Sequence, residues 1–145
     1  MANSVRETII EQVITTLSAG SPAPVSRSNT FQRTDANASL PAIVVYPESE
    51  KVTLRTSDAE YCSFTIAVEC QAKGAPPIDQ SLDPLLVWVS QRLKADQTLG
   101  ELVSRVEEVE TLWSIETGDE DAGAAKMTFE VQYLRQLSDP TVNLS

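Results

Sequence analysis

The chain has no histidine, two cysteines and five glycines in 145 residues, and only eleven Lys and Arg against twenty-one Asp and Glu. Without an imidazole, mechanisms that need a histidine base, proton shuttle or metal ligand are closed to a single chain. Zinc sites need more ligands than Cys62 and Cys70 supply. Both cysteines fall in one predicted strand, and at about 3.3 Å per residue they lie roughly 26 Å apart, too far to bridge. They read as buried, reduced thiols, which suits synthesis in a cytosol. Gly20, Gly74, Gly100, Gly118 and Gly123 make neither a phosphate-cradling loop nor a dinucleotide fingerprint. No Ser-x-x-Lys spacing pairs a serine nucleophile with a lysine. A net charge of −10 repels phosphates, against a general nucleic-acid or anionic-membrane binder. No apolar run approaches the ~18 residues of a membrane span, and Met1–Ser4 runs into an amphipathic pattern without a basic segment and apolar core. A soluble protein is expected, with no cofactor and no enzymatic activity.

What is present fits one folded domain over residues 1–137, with 138–145 as a patternless, flexible arm. Val5, Ile9, Val13 and Leu17, widened by Ile10 and Ile14, predict a helix, with Ser4 and Glu7 as its capping box and Gly20 as its stop. Val25–Phe31 is a weak strand candidate, and Ala42–Tyr46, closed by Pro47, reads as a central strand covered on both faces. Three segments alternate with period two: Ala59–Gln71, Val106–Thr117 and Ala125–Arg135. In the second, Val109, Trp113 and Ile115 are expected inside, with Glu108, Glu110 and Glu116 outside. A second helix is expected from a Ser81 cap, with Pro84 in its first turn and a stripe of Leu82, Leu85, Leu86, Val89 and Leu93. A short turn at Thr98–Leu102 returns the chain to the sheet. The fold class is α+β: a mainly antiparallel twisted sheet with two main helices packed on one face.

Carboxylates are plentiful, but acid–base work needs two of them in a cleft with separated pKa values. Here most fall on a strand's polar face or a hairpin tip. Asp119-x-Asp121-x-Gly123 has the start of a calcium loop without its later ligands. The charge is lopsided: Glu101–Asp121 holds eight acids and one base, net −7, whereas Pro24–Ser57 is +1. Within a monomer this is a solvated acidic hairpin. In an oligomer it favours head-to-tail association between dissimilar patches, which can close into a ring. Lys51 and Arg55, in the Pro47–Ser57 segment, are then expected to face a neighbour's acids. Trp88 either closes the core edge or anchors that interface.

Taken together, Leu40-Pro-Ala-Ile-Val-Val-Tyr46, the strand ending Glu69-Cys70, the Ser81-Leu-Asp83 helix start, Thr98-Leu-Gly-Glu-Leu102 and Met127-Thr-Phe-Glu-Val-Gln-Tyr133 give a layout over residues 5 to 135. It resembles the tail terminator proteins (minor tail protein U family) of long-tailed bacteriophages. The resemblance implies a structural virion protein, assembled in the host cytoplasm and placed in the virion tail. A hexameric ring would cap the tail tube, end its polymerisation and offer the head–tail joining surface. Its partners would be further copies of itself, the tail tube protein and the head–tail connector, while duplex DNA passes through without specific binding. Glu108, Glu110, Glu116, Asp119, Glu120 and Asp121 are the candidate channel-lining acids, since they deny phosphates a cationic partner. The competing readings are another tail-completion or connector protein, and a small acidic cytosolic binding module, monomer or dimer.

Overall fold

The computed structural model describes residues 3–27, 41–74, 77–116 and 121–145, with backbone only for residues 115, 116 and 121. Helix α1 (Val5–Ser18) begins where Ser4 accepts from the Glu7 amide at 3.2 Å. It ends where Gly20 takes φ +72°, a left-handed turn that a Cβ would strain. Val5, Ile9, Ile10, Val13 and Leu17 form its buried stripe, as the spacing predicts.

Helix α2 (Ile78–Ala95) starts before the predicted Ser81 cap, and Pro77 precedes it without a side-chain cap. The reason is burial: Ile78 continues the stripe of Leu82, Leu85, Leu86, Val89 and Leu93 backward by one turn. Pro84 therefore lies inside the helix, not in its first turn, where it deletes one backbone hydrogen bond and crowds the preceding turn.

The strands are β1 (Val25–Arg27), β2 (Ala42–Arg55), β3 (Ala59–Gly74), β4 (Arg105–Glu116), β5 (Asp121–Gln136) and β6 (Asp139–Asn143). They form one sheet of order β1-β2-β3-β5-β4, with β6 also on β5. Only β1 pairs in parallel. Alternate residues of β3 (Cys62, Phe64, Ile66, Val68, Cys70) and β5 (Ala125, Met127, Phe129, Val131, Tyr133) meet both helices in one core. The chain is thus an α+β protein with its helices on one face of a largely antiparallel sheet. Both cysteines are free and buried in that core. No described helix is long and apolar enough to cross a membrane.

Three boundaries differ from the sequence reading. Pro47 does not close β2; the strand runs on to Arg55 through a register shift between Pro47 and Ser49. A bulge is where a strand tolerates a residue without an N–H. The predicted β1 extends to Phe31, but residues 28–40 lie outside the described set. The C-terminal arm is a strand: Asp139 accepts from the Thr141 amide at 2.9 Å and its hydroxyl at 2.7 Å, which turns the chain back along β5. The Leu144 amide then donates to the Leu134 carbonyl at 2.9 Å and Asn143 Nδ2 to the Leu102 carbonyl at 2.7 Å. Backbone pairing with β5 needs no apolar periodicity, so the sequence carried no signal for it.

Pro84 supplies a test of this helix. Its ring is exposed, so Pro84→Ala removes no packing and restores an N–H to the helix interior. The substitution is expected to stabilise the protein by about 1–3 kcal/mol, measured by urea denaturation.

Candidate functional site

The acid-rich strand β4 is one edge of the sheet. Its register first places Val106 opposite Val131 and Glu108 opposite Phe129, both on the helix side. A shift between Glu108 and Glu110 then inserts an extra residue and inverts the alternation. Val109 is thrown outward and is 55% exposed, correcting its assignment to the core. Glu108 is corrected too. It faces α2, where Oε2 lies 3.7 Å from Lys94 Nζ and Oε1 is buried without a hydrogen-bond partner. It therefore does not stand with Glu110, which is exposed opposite Thr128 on the sheet's other face. Asp119 and Glu120 lie outside the described residues, as do the side chains of Glu116 and Asp121.

Trp113 takes the helix side, opposite Ala125, yet it is 54% exposed rather than core. It sits by the first turns of α2, where it lines an open cleft of about 530 Å³ with Asp79, Gln80 and Asp83. Leu112, on the outer face of the same strand, is also exposed. The β4 edge is thus apolar and acidic at once. Sequence alternation gave Trp113 its correct face but not its exposure, and it misplaced Val109 because it cannot see a bulge.

The predicted interface residues lie elsewhere. Lys51 is exposed on the outer face of β2, opposite Ser63, with no ion pair or hydrogen bond among the described residues. Arg55, its side chain 68% exposed, donates from Nε to Glu60 at 3.0 Å. Close by, Leu54 and Tyr61 pair across β2 and β3 and are both exposed. Registers β2–β3, β3–β5 and β5–β4 put this hairpin end and the Trp113 cleft at diagonal corners of the sheet. The separation along the strands alone is roughly 30 Å.

Trp88 joins the two helices. It packs against the core, its indole N–H donates to the Leu17 carbonyl at 3.5 Å, and the Arg92 guanidinium lies 4.7 Å from its ring centre. These contacts put Trp88 at the edge of the core.

A polar network not anticipated from the sequence closes the opposite end of the core. Glu50 accepts from Tyr133 Oη at 2.6 Å, Arg135 Nη1 at 2.9 Å and Arg6 Nη1 at 2.9 Å. Buried Glu60 accepts from Arg55 Nε and from Arg135 Nε at 3.2 Å. Strand parity held the signal, since Glu60 and Arg135 continue the inward positions of β3 and β5 and face each other in register. Every carboxylate here has its donors, and burial together with the Glu50 hydrogen bond pushes the Tyr133 phenol up. This is the chemistry of a tie between α1, β2, β3 and β5. The thiols are equally quiet: burial raises Cys62 and pushes Cys70 up to about 12.

Hydrogen bonds from Arg55 and Arg135 hold the Glu60 carboxyl below its ordinary value, and Arg27 does the same for Glu7. A carboxyl depressed by folding stabilises fully above its unfolded pKa of about 4.3, and the gain is lost as pH falls through the lower folded value. Denaturation midpoints followed down from neutral pH should therefore fall below about pH 4, and Glu60→Gln should flatten that fall. Arg135→Met, which strips both Glu50 and Glu60 of a donor, should destabilise more than Arg55→Met. Neither a known protein-family model nor any curated protein matches the chain.

Proposed function

We propose that this chain is a structural assembly protein of a long-tailed bacteriophage, a tail terminator whose copies form a hexameric ring on the tail tube. In this role it ends tube polymerisation and presents the surface that joins tail to head. The observation that carries the reading is the pair of dissimilar patches on one subunit. One corner is apolar and acidic (Val109, Leu112 and Trp113 with Asp79 and Asp83), while the diagonal corner is apolar and carries the cation Lys51 (beside Leu54 and Tyr61), Arg55 there being paired to Glu60 on the helix side. Unlike patches of opposite charge favour head-to-tail contacts, and a head-to-tail contact closes into a ring when its rotation allows. A two-fold contact through β4 instead brings two acid-rich edges together, a less favourable pairing. An edge strand with exposed Val109, Leu112 and Trp113 also calls for cover, because an open apolar edge invites uncontrolled pairing. With exposed Glu110 on the channel side, duplex DNA would meet no cationic partner there. The tail tube protein and the head connector are the proposed axial partners.

The test is mass by light scattering, with and without divalent cation, followed by imaging. Rings of six copies around a channel wide enough for duplex DNA are expected. A compact dimer or a persistent monomer would favour the small acidic binding module instead. The paired substitution Lys51→Glu with Arg55→Glu should weaken assembly and leave the far-ultraviolet circular dichroism of the subunit unchanged. Undiminished ring formation would count against the assignment of that corner.

A further inference from the structure

We infer that the Trp113 cleft is the socket for Lys51 of the neighbouring copy, an assignment that rests on the ring reading and names its contact. The cleft has an exposed indole as one wall and, as the other, Asp79, Gln80 and Asp83 on the first turns of α2. Asp79 and Asp83, four residues apart, share one face of that helix. An aromatic face beside two carboxylates selects a cation on an apolar stem, because the ring quadrupole and the carboxylates attract the same charge while the ring packs the methylenes. The chain already uses half of this chemistry internally, where Arg92 lies over Trp88.

The occupant is argued from supply. Arg6, Arg27, Lys94, Lys126 and Arg135 are all held by carboxylates of the same chain. Arg55 and Arg105 are paired to Glu60 and Glu107, Arg92 donates to the Ala19 carbonyl at 2.6 Å and Lys73 also has a partner, while Arg33 lies outside the described residues. Lys51 is exposed, carries no ion pair among the described residues, and lies on the same outer face as exposed Leu54 and Tyr61, which can cover the indole wall. It cannot reach its own cleft, which lies at the diagonal corner, so the lysine that fills it belongs to another copy. The contact joins the outer face of one subunit to the helix-side edge of the next. That makes it directional, and it uses each surface once per subunit.

The experiment is a charge swap in the full-length chain, read by analytical ultracentrifugation over a concentration series. Lys51→Glu alone and Asp79→Lys with Asp83→Lys should each weaken association about tenfold, and the three substitutions combined should recover most of it. Trp113→Ala should weaken association by about thirtyfold, the scale of a buried aromatic anchor. In a Trp88→Phe background, Trp113 is the sole indole, and its emission should shift to the blue on assembly. Lys51, Asp79, Asp83 and Trp113 are exposed, Trp88→Phe keeps an aromatic ring at the core edge, and circular dichroism verifies that each variant folds. Assembly of the wild-type chain that ignores the cleft substitutions, or that the combination fails to rescue, overturns the socket and leaves the ring standing. A wild-type chain that stays monomeric throughout overturns both.

Discussion

The antiparallel register of β3 on β5, unbroken from Ala59 against Gln136 to Gly74 against Asp121, is the constraint on which the other elements depend. Side chains on a strand alternate strictly, so this one pairing decides which of some thirty residues face the helices. It lays Cys62, Phe64, Ile66, Val68 and Cys70 beside Tyr133, Val131, Phe129, Met127 and Ala125 as a continuous apolar floor. Both helices then have a surface for their stripes, and α2 buries Ile78 through Leu93 against it. The same parity carries Glu60 and Arg135 inward where the floor runs out, and they seal its end with charge-assisted hydrogen bonds.

At its margins the regular pattern is broken, and the breaks shape the surface. The irregularity between Glu108 and Glu110 turns Val109 out and Glu108 in, while leaving Trp113 on the helix side beyond the cover of α2. Bulges near sheet edges commonly re-aim side chains. Here the result is an edge that presents aromatic and aliphatic surface together with carboxylates. The long β2–β3 hairpin ends in surface of opposite character at the far corner. A subunit with two unlike corners has a built-in direction, and the proposal of a ring rests on that polarity.

Much of the fold was legible because it is written in periodicity. The four-residue spacing from Val5 to Leu17, the alternation from Cys62 to Cys70 and that from Ala125 to Tyr133 each describe a surface with one apolar side, and each folds that way. The misses have physical causes. A bulge leaves no mark in composition, so alternation put Val109 inside and Glu108 outside. Pro84 looked like a first-turn residue because a proline in a helix interior is costly, and only the burial of Ile78 explains why the helix begins earlier. Strand β6 is held by backbone pairing and by Asp139 and Asn143 side chains, which follow no period. For the candidate site, Lys51 and Arg55 were identifiable as bases in an acidic chain. The cleft they are matched with was not, because Asp79, Asp83 and Trp113 meet only in the folded sheet.

The two thiols have a practical side. Cys62 and Cys70 sit on one strand beneath both helices, fully covered and held in the protonated form at neutral pH. Since only the thiolate attacks electrophiles at an appreciable rate, maleimide dyes should pass over the native chain. A single cysteine introduced at any exposed position would then be a background-free handle for spin labels, fluorophores or gold, with no need to remove the natural pair.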